Sequence, residues 1–363
     1  MAHVINLSGF HHHALTPFID VFTPATSADV SRLEELINQH HHALMERLQT
    51  QGAIVFRDFK PVGVDHFEDF VEDTLQLNAW NAFNSKGTPK AVANWLRAWS
   101  EKIFGAGDYR RYLGSSTVQL GPVENSVQGP HVEGGGLIRR SRFLALYCEQ
   151  PGLERAETGM ADFSSVYNRL PAALQQKMRE GWNEYKYTSS QKLGLIDRLL
   201  LKLSPMEYEL RDDGYALIKG SPCPAACVVP GNGDIAVQPW AFSRNANPQV
   251  LKAAQEIFTG RGELTTDSTA DALNMFWDII NDDGESMGWS EQEQLTLFRT
   301  IFAEAHLMDW KQGDVALLDN VRMGHWRMDG VQGNRQLIQI QSAPIDVREF
   351  KVRDGEDLEG VPA

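Results

Sequence analysis

Apolar positions recur at helical spacing near the start of the chain. Between residues 28 and 50, Leu33, Leu36, Ile37, Leu44 and Leu48 fall on one side of a helix, and Gly52 supplies a stop. The stretch AIVFRDF at 53–59 is apolar without a helical period and reads as a buried strand. VDHFEDFVEDTL then places Phe67, Phe70, Val71 and Leu75 on one face of a second helix, so the chain opens as helix, strand, helix. From 112 onward short strands and turns take over, STVQL, RFLALYCEQ and AACVVP among them. Helices are expected near FSSVYNRLPAALQQKMREGW and across roughly 248–305. There Ser290 and Glu293 have the spacing of a capping box ahead of Leu295, Leu297, Phe298, Ile301 and Phe302.

The last quarter of the chain is strand-like. HLMDWKQGDVALLDN reads as two apolar strands joined by a Lys-Gln-Gly-Asp turn. RQLIQIQ alternates, with Arg335, Leu337, Gln339 and Gln341 on one face and Gln336, Ile338 and Ile340 on the other. Both faces are mixed, as expected where one packs and the other lines a cavity holding selected polar groups. Strands early and late, with helices outside them, predict a mainly β fold with α decoration, a barrel-like sandwich. No repeat or low-complexity linker divides the chain, which predicts a single domain over 1–363, with 185–305 a partly helical insertion. Trp240, Phe242, Phe276 and Trp277 in that insertion suit a lid over a bulky substrate, and suit a core equally.

Composition narrows the partners. The 363 residues are 42% apolar and 23% charged, as in a globular protein. The formal charge of -14 opposes a nucleic-acid or anionic-membrane partner, because phosphates repel such a surface, and favours a small molecule. Three cysteines, Cys148, Cys223 and Cys227, form no CxxC pair and predict neither a disulfide framework nor a zinc site. The amino terminus has no signal-peptide pattern and no run of about 18 apolar residues occurs, so a cytoplasmic protein is expected.

The candidate chemistry begins at PHVEGGG, residues 130–136. On a strand His131 and Glu133 project from one face, which suits two adjacent corners of a metal site, and the glycines leave space for a substrate or lid to approach. A surface pair before a glycine-rich turn explains the tripeptide as well. Other histidines compete for the role of third ligand. HHH at 11–13 reads as a solvated tail. HHH at 40–42 lies on the first helix, where consecutive residues are about 100° apart and cannot converge on one ion. His325 follows the strand GDVALLDN and precedes Arg335 by ten residues. Two histidines and a carboxylate would make the facial triad that suits non-heme Fe(II).

PHVEGG, then AETGMAD with Thr158 27 residues after His131, then GDVALLDNVRMGHWR and Arg335, together resemble the iron(II)- and 2-oxoglutarate-dependent dioxygenases of the taurine dioxygenase and clavaminate synthase superfamily. GAIVFRDFKPVGVDHFEDFV resembles that superfamily's amino-terminal strand and helix, whereas 185–305 matches weakly. The resemblance implies a double-stranded β-helix, or jelly-roll, core flanked by helices. It implies that His131, Glu133 and His325 bind Fe(II), that Arg335 holds the distal carboxylate of 2-oxoglutarate, and that Thr158 donates a hydroxyl to it, with O2 as the second cosubstrate. A planar guanidinium grips a carboxylate through two charge-assisted hydrogen bonds, so the chemistry is coherent beside the resemblance. Asp162 is expected to stabilise its turn and stays outside the site. Halogenating members carry Ala or Gly where Glu133 stands, so hydroxylation or a related C–H oxidation is expected here.

The substrate is less marked. Taurine dioxygenase-like members place a second arginine four residues after the cosubstrate arginine; here that position is Gln339, which suits an amide, hydroxyl or carbonyl group, or merely satisfies backbone groups inside the barrel. In LIRRSR, Arg139 or Arg140 offers a partner for a carboxylate or a carrier-protein-linked phosphopantetheine, while a solvated pair explains them too. The expected substrate is amino-acid-derived or a natural-product intermediate. Two other readings stand beside the oxygenase: a jelly-roll metal-binding protein without turnover, and a metal oxygenase or isomerase independent of 2-oxoglutarate, which would leave Thr158 and Arg335 unexplained.

Overall fold

A computed structural model describes residues 7–80, 126–189, 191–203, 207–241, 248–264 and 275–353. Between 81 and 125 it describes 89, 91, 92, 95, 96, 99, 103, 110–113 and 116–120. The fold is mixed α/β. Its largest sheet runs in the order Phe10–Thr16, Ile19–Pro24, Ala53–Phe56, Val315–Asp319, Arg139–Gln150, Gln336–Asp346, Val118–Leu120 and Arg110–Tyr112. First and last segments of the chain therefore meet at its centre. All described neighbours are antiparallel except Ile19–Pro24 and Ala53–Phe56. A smaller sheet, His306–Met308, Thr158–Asp162 and Met323–Arg327, faces it.

The alternation along the strands explains both layers. Leu144, Leu146, Ala316 and Leu337 point between the sheets and pack with Met160 and Met323 of the opposite one. Their neighbours Phe143, Ala145, Tyr147, Ile338 and Ile340 point outward, where the helix Val30–Gln51 covers them with Leu33, Leu36, Ile37, Leu44 and Leu48. That helix ends where the sequence predicted. Gly52 has φ 107, a left-handed conformation, and its N–H closes on the Leu48 carbonyl. A Cβ there would also sit 2.6 Å from the Met323 sulfur. The capping box on Glu291–Ala303 is formed, with the Ser290 hydroxyl accepting from the Glu293 N–H and the Glu293 carboxylate accepting in return.

Two expectations are corrected. Residues 11–13 are not a solvated tail: they lie in the edge strand Phe10–Thr16, where His12 Nε2 meets buried Asp20 at 2.9 Å, with Arg47 on the same carboxylate. The stretch 248–305 is not helical throughout, because Met275–Ile280 is a strand paired with Trp182–Thr188. It completes a third sheet with Glu207–Leu210, Ala216–Lys219 and Cys223–Pro224, so 185–305 contributes strands as well as helices. The helices expected near FSSVYNRLPAALQQKMREGW are present as Phe163–Arg169 and Ala172–Glu180, separated before Pro171, which disfavours helix in the residue preceding it. The three cysteines are free and buried, and among the described residues no helix is long and apolar enough to cross a membrane.

Candidate metal centre

Between the sheets, the apolar interior gives way to a polar group where His131 crosses the small sheet. His131 bridges to His325 on one side and to Trp240 on the other. Its N–H donates to the His325 carbonyl at 3.1 Å, and the His325 N–H donates back at 3.0 Å. That exchange sets the two residues directly opposite with side chains on one face, and their rings lie 4.6 Å apart, centre to centre. His131 Nδ1 stands 2.8 Å from the Gly129 carbonyl, which makes it the ring's N–H donor and leaves Nε2 as the ligating nitrogen.

Glu133 follows in a turn rather than on a continued strand, and Asn320 sets its position. The Asn320 side chain accepts from the Glu133 N–H at 2.7 Å and donates to the Glu133 carbonyl at 3.0 Å and to that of Ser141 at 2.8 Å. Glu133 Oε2 ends 4.0 Å from His325 Nε2. One ligand atom from each of His131, Glu133 and His325 lies within 4.8 Å of the others, and all three residues are buried. Two imidazoles and one carboxylate on a common side are a donor set that fits divalent iron and leaves the opposite positions to other ligands.

The glycines after Glu133 do not open space for a substrate. A Cβ on Gly135 would lie 2.7 Å from Trp240 Cβ, and one on Gly136 2.6 Å from the indole ring, so the glycines make room for this tryptophan. The Trp240 N–H donates to the Tyr185 hydroxyl at 2.9 Å, and the two rings meet edge to face at 5.4 Å. Of the other aromatics expected in a lid, Trp277 packs against Tyr185 and Trp289, Phe276 is exposed, and Phe242 lies outside the described residues.

Thr158 and Arg335, which the resemblance grouped, lie side by side. Thr158 opens the strand Thr158–Asp162, and its hydroxyl accepts from Trp310 Nε1 at 2.8 Å and from Arg335 Nη2 at 3.2 Å. Burial and the neighbouring Arg327 cation bring Arg335 down to about 10, against a smaller opposing effect of Cys148, so Arg335 stays charged at neutral pH. Arg327 pairs with Thr158 across the strands. The buried Arg335 guanidinium beside the Thr158 hydroxyl suits an anionic occupant. Sequence reasoning passed over Arg327, although in HWR it stands two residues after His325 and so on the same strand face.

Gln339 and Arg140 are both engaged by other groups of the protein. Gln339 Nε2 donates to Glu133 Oε2 at 3.2 Å, and Gln341 Nε2 donates to Glu133 Oε1 at 3.3 Å. The amide nitrogen proposed for a substrate is committed to a candidate metal ligand. Arg140 is 1% exposed and bonded to Gln238, and burial weakens its hold on its proton, opposed by Cys227, Cys223, Tyr185 and Asp319. It points inward, leaving Arg139 as the exposed member of the pair. Asp162 does stabilise its turn: it caps Phe163–Arg169 through the Ser164 N–H and pairs with Arg322 at 2.7 Å.

No curated protein matches the chain in sequence. Among solved structures that share its fold over nearly the whole length are the following two. PvcB, an Fe, alpha-ketoglutarate dependent oxygenase from an isonitrile synthetic pathway, is 10% identical, with 94% of each chain covered and a TM-score of 0.55. AAD-2, solved with Mn(II) and N-oxalylglycine, is 12% identical, with 95% of this chain and 100% of that one covered and a TM-score of 0.50. Residues 13–341 match the model of the family described as "Taurine catabolism dioxygenase TauD, TfdA family". The chain belongs to that family and is an enzyme of the Fe(II)- and 2-oxoglutarate-dependent dioxygenase class.

Proposed function

We propose that His131, Glu133 and His325 hold the Fe(II), that Arg335 and Thr158 hold the distal carboxylate of 2-oxoglutarate, and that the enzyme hydroxylates, or oxidises in a related way, a C–H bond of a small organic molecule. The carrying observation is the convergence of three buried ligand atoms within 4.8 Å, in the same interior as the Thr158–Arg335 pair. The core between the two sheets is taken as a jelly roll and the chain as one catalytic domain, with 185–305 a substrate-side insertion. When bound, Fe(II) and 2-oxoglutarate supply the oxidation, using O2 and releasing succinate and CO2.

The protein's own part is placement. The Arg335 guanidinium presents paired N–H donors to a carboxylate, while the Trp310 indole fixes the Thr158 hydroxyl from behind. Asn320 holds the Glu133 backbone on both its N–H and its carbonyl, so the carboxylate is aimed before any ligand arrives. Trp240 flanks His131 on the side away from His325 and keeps water from that edge. Glu133 itself favours oxygenation over halogenation, since a halide would need its position. An amino-acid-derived or natural-product substrate is the reading the clavaminate synthase resemblance favours.

Anaerobic addition of Fe(II) and 2-oxoglutarate tests this assignment. A weak visible charge-transfer band is expected for the wild-type protein and is lost in His131→Ala, Glu133→Ala and His325→Ala. Absence of the band from the wild type, together with no succinate formed under air, would remove the catalytic reading.

A further inference from the structure

Resting on the assignment of Glu133 as an iron ligand, we infer that Gln339 and Gln341 are positioning residues that hold its two carboxylate oxygens, one each. Both lie on the strand Gln336–Asp346, two residues apart and thus on one face, opposite Leu146 and Leu144 of the central strand. Gln339 Nε2 reaches Oε2, the oxygen nearer His325 Nε2, and Gln341 Nε2 reaches Oε1.

The direction of these bonds is fixed by chemistry. An ionised carboxylate only accepts, so each glutamine must turn its NH2 group toward Glu133 and its carbonyl away. For Gln339, 1% exposed, the outcome is visible at the other end of the amide: Oε1 is buried with no hydrogen-bond partner among the described residues. A buried amide that leaves its acceptor unmet in order to donate is oriented by the group it donates to. With Asn320 on the backbone and two amides on the carboxylate, Glu133 is gripped at four atoms by side chains from the last part of the chain. Each carboxylate oxygen accepts one amide N–H and keeps a lone pair, so the pair of glutamines fixes the plane of the carboxylate while leaving it able to ligate a cation.

Gln339→Met and Gln341→Met keep the shape and remove the donor. Fe(II) affinity is measured anaerobically on the apoproteins, Co(II) absorption serves as a readout of coordination, and melting of the metal-free proteins controls for folding. Each Met variant is expected to bind Fe(II) about 10–100-fold more weakly. Co(II) spectra should change in the variants while the metal-free melting temperatures stay close to wild type. Met variants with wild-type affinity and spectra overturn the inference while leaving the iron assignment standing; so does a fall in metal-free melting that accounts for the lost affinity. Failure of the wild type to bind Fe(II) overturns both.

Discussion

Replacing Arg335 by glutamine should make the metal-free protein slightly more stable and at the same time abolish its response to 2-oxoglutarate. The fall of the guanidinium from its ordinary value to about 10, caused by burial and by Arg327, amounts to about 3 kcal/mol of unfavourable charging in the folded state. Because the folded value lies below the unfolded one, this penalty is present in full below about pH 10 and is lifted only as the pH climbs from there toward the ordinary arginine range. It is therefore complete at neutral pH. Glutamine removes the charge but also the bond to Thr158, worth about 1 kcal/mol, so the net gain is about 2 kcal/mol. For a chain of this length that is a rise of about 2–3 °C in melting temperature. A dicarboxylate in the pocket offsets the same charge, so the wild type, loaded with redox-silent Mn(II), should gain about 2.7 kcal/mol at 2-oxoglutarate concentrations a hundredfold above Kd. Thermal melts with and without 2-oxoglutarate measure both quantities. A metal-free Arg335→Gln protein that melts several degrees lower refutes the electrostatic reasoning. A variant that keeps the full 2-oxoglutarate response removes Arg335 from its role.

Thr158→Val should weaken 2-oxoglutarate binding about tenfold and leave Fe(II) affinity unchanged, because it strips the hydroxyl shared by Trp310 and Arg335 but touches no metal ligand; calorimetric titration of each ligand separates the two. Gly136→Ala should displace the Trp240 ring, which lies 2.6 Å from where the new Cβ must go, and destabilise the protein by about 2 kcal/mol or more, read from denaturant unfolding and tryptophan fluorescence; an unperturbed indole signal would contradict the packing. Ser290→Ala should cost about 1 kcal/mol through loss of the helix cap while leaving turnover intact, and a drop in turnover would mean that Glu291–Ala303 does more than scaffold.

What could be read from the residues in advance depended on how local the cause was. Leu33 to Leu48 repeat within one helix, and Ser290 and Glu293 cap one turn, so spacing alone revealed them. MFWDII is a short apolar run that periodicity cannot assign; its strand exists because Trp182–Thr188 lies alongside. His11 to His13 looked like tail because Asp20, which holds His12, lies across a hairpin. The Thr158–Arg335 pair followed from the resemblance in its motifs. The glycine run was misread for the opposite reason: its tight neighbour, Trp240, belongs to the stretch where that resemblance is weakest. Gln339 and Gln341 were seen to share a face, but nothing in the alternation of RQLIQIQ says that the face looks at Glu133.

The grip on Glu133 also sets an order of events in synthesis. Asn320, Gln339 and Gln341 stand 187 to 208 residues beyond the glutamate they hold, and His325 lies among them. Contacts of such long sequence separation form slowly and late, after the loops they close have been ordered. A ribosome that has finished His131 and Glu133 has made two-thirds of the candidate triad and none of the side chains that hold Glu133. On the proposed assignment, iron capture marks a chain whose late strands are in place: a form that ends before His325 holds two of the three candidate ligands and lacks Asn320, Gln339 and Gln341.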